Sequence, residues 1–140
     1  MRVTRLNSQK TVLLKINKYK IDWENDGNSS LETRFRDLIY PFWKNHIVLF
    51  QLIIPSSLLK IDFLNCNKKL AVEINGPQHN SFNKFFHNNS RANYLSSIKR
   101  DLIKIKWLED NNIQLLELQE EDLDNFSPKM IQEKYGINII

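Results

Sequence analysis

One cysteine, three glycines and four prolines in 140 residues close off several ways of building a protein. Cys66 is alone, so one chain can form neither an internal disulfide nor a cysteine-based zinc site. A reducing, cytoplasmic setting is expected. So little glycine and proline excludes collagen-like and low-complexity readings and leaves little room for a long flexible linker. No apolar run reaches the roughly 18 residues of a membrane span, so no membrane partner is expected. Arg2 and Arg5 are not followed by an apolar stretch with a small-residue cleavage site, so no signal peptide is expected. A glycine-rich phosphate loop is missing, which argues against ATP, and a serine triad has no elbow motif. Cys66, His46, His79 and His87 match no zinc spacing.

What is present is ordinary for a globular chain: 41% apolar and 26% charged residues. The length fits one domain, which at this size buries roughly 68% of its unfolded surface. The net charge of +4 is unevenly placed. Residues 1–108 hold 18 Lys and Arg against 8 Asp and Glu, whereas residues 109–140 hold 2 against 8. A basic body suggests a polyanion, nucleic acid first; a solvated charged surface is the plain alternative.

The pattern predicts a short strand over Thr11 to Ile16 and a polar loop from Asp22 to Ser30. Ser29 and Glu32 have capping-box spacing, and Leu31, Phe35, Leu38, Ile39 and Phe42 recur at helical intervals. A helix is expected from about Ser30 to Ile39, ended or kinked by Pro41. Ile47 to Ile54, Leu59 to Leu64 and Lys69 to Asn75 read as three strands, the last two joined by a turn with Cys66 and Asn67 at its centre. A loop of about fifteen residues follows, a length that in a compact domain is usually functional or disordered. Leu95, Ile98, Leu102, Ile105 and Leu108 form an apolar stripe on a helix over about Arg91 to Asp110, expected to be core. A fourth strand covers Ile113 to Leu118, then an acidic turn and a short helix after Pro128. The order helix, three strands, helix, strand implies an α/β domain with a mixed sheet flanked by helices. Its core is expected over residues 29–118, with 119–140 as an acidic C-terminal appendage.

The hairpin carries the chemistry. With Cys66 and Asn67 central, Asp62 pairs with Ala71, and Asp62 becomes a diagonal neighbour of Glu73 on one face. Two carboxylates among Ile, Phe, Leu and Val are costly to bury unpaired. A divalent cation would relieve the repulsion, and Mg²⁺ suits such oxygen donors. The alternative is two exposed acids paired with Lys60 or Lys69.

The run IDFLNCNKKLAVEINGPQH resembles the core of the PD-(D/E)XK, or restriction-endonuclease-like, nuclease superfamily. Glu32 is similar to its first-helix Glu, Asp62 to its strand Asp and Glu73 to its strand Glu. Glu73-Ile74-Asn75-Gly76-Pro77-Gln78-His79-Asn80 looks closer to the very-short-patch-repair-like and homing-endonuclease group, in which that strand ends Glu-x-Asp-Gly-x-x-His-Asp. Arg100-Asp101, Lys104, Leu108 and Asn112-Ile113 extend the likeness, which spans roughly Ser29 to Leu118. The loop FNKFFHNN, Phe82 to Asn89, is similar to one in small phage proteins. Asn75 departs from the pattern: most of the superfamily has Lys there and the closer group Asp, and an amide supplies neither charge nor base.

The resemblance implies a Mg²⁺-dependent DNA endonuclease, with Mn²⁺ able to substitute, possible dimerisation and a phage-type homing or nicking role in a host cell. Asp62, Glu73 and the Ile74 carbonyl would hold the metal. Asn75 and His79 would orient water or phosphate, with His79 as acid/base candidate and Glu32 reaching the site through water. Lys99 or Lys104 could bring the missing ammonium to the scissile phosphate. Gln78, Lys84, Arg91, Lys99, Arg100 and Lys104 are the expected DNA contacts. The alternatives are a Holliday-junction-type resolvase and a non-catalytic DNA-binding protein on a decayed nuclease fold.

Overall fold

The computed structural model describes residues 1–25, 27, 29–75 and 91–140. A two-stranded antiparallel hairpin opens the chain: β1, Arg2–Thr4, against β2, Thr11–Leu13. The one-turn helix α1, Ile16–Tyr19, leads towards α2, Ser30–Trp43. Three strands follow, β3 (Val48–Ile53), β4 (Lys60–Asn65) and β5 (Leu70–Asn75). The long helix α3, Arg91–Asp110, crosses to β6, Gln114–Gln119. Two short helices close the chain, α4 (Glu120–Asp124) and α5 (Pro128–Tyr135).

The main sheet runs β3-β4-β5-β6, antiparallel except for the parallel pair β5–β6. This is a mixed α/β fold with helices on both sheet faces. Phe35, Ile39 and Trp43 of α2 pack with Leu123 and Ile131 against Phe63, Val72, Ile74, Leu116 and Leu118 on one face. Trp107 and Leu108 of α3 join Val3 and Leu14 over Leu49, Leu52, Ile61, Leu64 and Ala71 on the other. Among the described residues, no helix is long and apolar enough to cross a membrane.

Four expectations change in three dimensions. Pro41 does not end α2, which continues to Trp43. Trp43 is fully buried, and its indole Nε1 donates to the Ile139 carbonyl at 2.7 Å, an anchor for the last turn beyond Pro41. Asp37, whose carbonyl loses its helical donor, and Pro41 are both exposed residues, where water can supply the missing hydrogen bond. The stripe on α3 is not core along its length: Leu95, Ile98 and Leu102 are exposed. The helix seats through Ser97, Trp107 and Leu108, with the Trp107 Nε1 held by the Thr4 carbonyl at 2.8 Å, which turns the leucine edge outward. The 119–140 stretch brings Leu123, Ile131 and Ile139 into the core on the α2 side.

The fourth change is the hairpin register. Leu64 pairs with Ala71 and Asn65 with Leu70, so four residues, Cys66 to Lys69, make the turn. The Asn65 side chain accepts from the Lys68 N–H at 3.1 Å, and Lys69 takes a positive φ of 50°. The assumed Asp62–Ala71 pairing is therefore two residues out. An even slip preserves faces, and one further step of the observed register sets Asp62 directly opposite Glu73.

Candidate functional site

The site lies where β4 and β5 part. Their paired register runs through Phe63↔Val72, while β5 remains paired to β6 as far as Asn75↔Gln119. Beyond Phe63, side chains take over the ladder. The Ile74 N–H donates to Asp62 Oδ2 at 3.0 Å, and the Asp62 N–H approaches Glu73 Oε2 at 3.4 Å. Each carboxylate thus engages the other strand's residues.

The neighbouring strand bends at the same level. Gln51 has a φ of 52°, a left-handed conformation unusual for a non-glycine within a strand. Phe50 packs on the α2 side of the sheet and Leu52 on the α3 side, so strict alternation breaks at Gln51. Opposite it, Phe63 and Ile61 also face different sides, so the break includes Asp62. The Gln51 amide Nε2 donates to Glu32 Oε1 at 3.0 Å and lies 3.4 Å from Asp62 Oδ1. Gln51 thereby links the α2 carboxylate to the hairpin. Its one sequence signal is a polar residue inside the run IVLFQLII, and the expected site residues do not include it.

Glu32 is placed by its helix start. Ser29 caps α2 by accepting from the Glu32 N–H at 3.2 Å. The preceding loop presses close: a Cβ on Gly27 would meet the Glu32 Cβ at 2.8 Å. Arg36, buried on the same helix, donates to the Asp22 and Asn25 carbonyls and lies 5.1 Å from the Phe50 ring centroid, tying that loop down.

Lys104 reaches the hairpin from α3. Its Nζ stands 2.7 Å from Glu73 Oε1 and 3.2 Å from the Lys60 carbonyl. The Glu73 side chain is 13% exposed and that of Lys104 22%, so this is a largely desolvated pair. The Glu73 carboxyl is pushed up to about 8, by burial first, then by the Asp62 charge and hydrogen bond; Lys104 offsets only part of this. A carboxyl held protonated near neutrality by burial, and then by a second carboxylate, is a place where a cation would replace a proton. The donors present are hard oxygens on two strands, with Glu32 behind Gln51. That set fits Mg²⁺ or Mn²⁺, which use one or two carboxylates and complete their shell with water and phosphate oxygens. Among the described residues, no three His, Cys, Asp or Glu side chains already converge as a metal-binding group.

The remaining expected residues fall in three groups. Asn75 ends β5, half-buried and two positions beyond Glu73 on the same strand face. Lys99 and Arg100 are exposed on α3, with Arg100 Nη2 3.3 Å from Ser97 Oγ, and Arg91 opens that helix. Gln78, His79 and Lys84 lie outside the described residues. His46, a soft candidate, has its Nδ1 2.9 Å from the amide of buried Asn65 and serves the turn.

No protein-family model matches this chain, and no solved structure matches it. It is similar to two uncharacterised viral proteins. Protein 033L of Invertebrate iridescent virus 3 is 38% identical over 88 residues, 63% of this chain and 43% of that protein. Protein 307L of Invertebrate iridescent virus 6 is 40% identical over 60 residues, 43% of this chain and 30% of that protein. The chain spans less than half the length of these relatives.

Proposed function

We propose that the chain is a metal-dependent DNA endonuclease on a restriction-endonuclease-like fold. The observation that carries this reading is the meeting of Asp62 and Glu73 where β4 and β5 part, with the Lys104 ammonium 2.7 Å from Glu73. In support, α2 to β6 follow in the order helix, strand, strand, strand, helix, strand that the resemblance implies, with Glu32 on that helix and Asp62 and Glu73 on the second and third strands.

Phosphodiester hydrolysis adds water across one P–O bond. The attacking water gives up a proton, and the departing oxygen gains one. Asp62, Glu73 and the Ile74 carbonyl would hold Mg²⁺ or Mn²⁺, which when bound supplies charge stabilisation at the phosphate and a more acidic water. The chain supplies the rest. Lys104 would take the part of the lysine that Asn75 displaces in sequence: its ammonium comes from α3 and stands between Glu73 and the Lys60 carbonyl. From there it can donate to a phosphate oxygen or hold the attacking water. Glu73, titrating near neutrality, is poised to exchange a proton as substrate and cation enter. Gln51 holds Asp62 and Glu32 in place.

The test is cleavage of supercoiled plasmid with Mg²⁺, Mn²⁺ or EDTA. Metal-dependent nicking or linearisation is expected, lost in Asp62→Ala and Glu73→Ala while DNA binding persists. Lys104→Met is expected to slow cleavage by roughly 10²-fold or more. Undiminished cleavage in both carboxylate variants would overturn the assignment. Four-way junctions cut in preference to their linear arms would specify a resolvase. Asn75 favours one rival, a DNA-binding protein without catalysis, for which metal-independent binding and no cleavage are expected.

A further inference from the structure

The first 21 residues contain Arg2, Arg5, Lys10, Lys15, Lys18 and Lys20 and no carboxylate. They lie outside the stretch carrying the nuclease resemblance. The structure makes them a fixed lobe. Val3 and Leu14 are buried beneath the hairpin, while Arg2, Arg5, Lys10, Lys15, Lys18 and Lys20 are all exposed. Among the described residues, none of the six forms an ion pair: the pairs found involve Arg34, Lys104, Lys106, Lys129 and Lys134. Six cations held on one small lobe without compensating acids repel one another, and an external polyanion relieves that repulsion.

Three attachments keep the lobe in register with the site. The Leu6 N–H donates to the Pro55 carbonyl at 2.9 Å, just past β3. Asn111 brackets Thr4, accepting from its N–H at 2.9 Å and donating to its Oγ1 at 3.0 Å. The Trp107 indole donates to the Thr4 carbonyl at 2.8 Å, one helical turn beyond Lys104. Arg5 and Lys15 line a cleft of about 620 Å³ that also contains Ile53. Ile53 pairs with Lys60, whose carbonyl holds Lys104. Arg5 and Lys15 thus share a cleft with the β3 residue that pairs with Lys60, whose carbonyl receives the Lys104 ammonium. The acidic helix α4 packs on the opposite sheet face, as Leu123 shows, so it does not screen this cleft.

We propose that this N-terminal hairpin lobe is a phosphate-binding arm that holds duplex DNA beside the carboxylate site. The partner is double-stranded DNA because several exposed cations on a lobe anchored beside the carboxylate site match the closely spaced phosphates of a duplex. Strands of three residues offer no broad apolar face for insertion in a lipid surface. The proposal rests on the DNA substrate inferred above, but not on cleavage.

The experiment uses the full chain, a blunt mixed-sequence duplex and EDTA, so that binding is read without hydrolysis. The triple variant Lys10→Gln, Lys15→Gln, Lys18→Gln is compared with the wild type and with Lys44→Gln, Lys129→Gln, two exposed lysines elsewhere on the fold. Affinity is followed between about 50 and 200 mM salt, where each lost phosphate contact lowers the slope of log K against log salt by about 0.9. The triple variant is expected to lose about 2 to 3 from that slope and at least tenfold in affinity, with the control double variant near wild type. An unchanged slope in the triple variant, or the same loss per lysine in the control, would overturn the arm. So would tight binding to anionic vesicles, lost in the triple variant, without duplex binding. A wild type that binds duplex with the expected slope but never cuts would refute the nuclease reading and leave the arm standing.

Discussion

Replacing Glu73 by Gln is expected to stabilise the metal-free protein at alkaline pH, although it removes a partner of Lys104. The Glu73 proton leaves near pH 8 in the fold instead of near 4.5. Ionising it there costs up to about 5 kcal/mol more than in the unfolded chain, at about 1.4 kcal/mol per pH unit. The folded state holds this proton over a range where the unfolded state has lost it. Stability from this group is therefore fully present below about pH 4.5, falls as pH rises, and is gone above about 8. Glutamine keeps the shape and carries no charge, so the fall should largely vanish. Urea unfolding between pH 5 and 9, without divalent cations, reads the effect. The wild type should lose several kcal/mol across that range, the variant much less, and their order should favour the variant at pH 9. Added Mg²⁺ should raise the wild-type melting temperature more at pH 8 than at pH 5, and hardly affect the variant. A variant less stable than wild type at pH 9, or with the same pH slope, would refute this reasoning and show that attraction between Lys104 and Glu73 outweighs the cost of burying the charge.

Gln51→Ala removes the link between Glu32 and Asp62 and leaves a side chain at a positive φ. Cleavage should fall at least tenfold with stability down by roughly 1 to 2 kcal/mol, and Gln51→Gly should recover part of the stability but not the activity. Gly27→Ala would press a methyl on the Glu32 Cβ 2.8 Å away; weaker cleavage with little change in DNA affinity is expected, and unchanged kinetics would show that the loop yields. Asp122 is buried: burial raises its pKa, but Lys134, Tyr135 and the Gln119 N–H together lower it by more, for a net downward shift. Its stabilisation is complete above the ordinary carboxylate range and is lost as pH falls through the lowered value. Asp122→Asn should cost about 2 kcal/mol at pH 7 and flatten the acid limb in urea titrations. Trp43→Phe deletes the donor to the buried Ile139 carbonyl and should cost roughly 1 to 3 kcal/mol in the same assay.

Much of the fold was legible because its signals are local. Val48–Ile53, Lys60–Asn65, Leu70–Asn75 and Gln114–Gln119 each lie within a residue or two of the apolar runs that announced them. Ser29 announced α2, and Pro128 announced α5, where Ser127 caps the first turn by accepting from the Met130 N–H at 3.0 Å. The strand expected from Thr11 begins there as β2 but stops at Leu13, while β1, three residues long, was too short to show a period, and α1 is a single turn. The α3 stripe misled because periodicity reports which residues share a helix face but not which face meets the sheet. Trp107, outside the stripe, made that choice.

Sequence alone determined which groups are available: a Glu at a helix start, an Asp and a Glu on adjoining strands, and no lysine two places on. Their types are local properties, and a two-residue error in register still left Asp62 and Glu73 as neighbours across the hairpin. Tertiary structure alone decided how they meet. It set Asp62 against the Ile74 N–H, bent β3 at Gln51 to bring Glu32 in, and drew Lys104 across 31 residues of chain to Glu73. These are contacts between distant segments, made only when burial of Trp43, Phe63 and Trp107 fixes the helices on the sheet, and no short-range pattern encodes them.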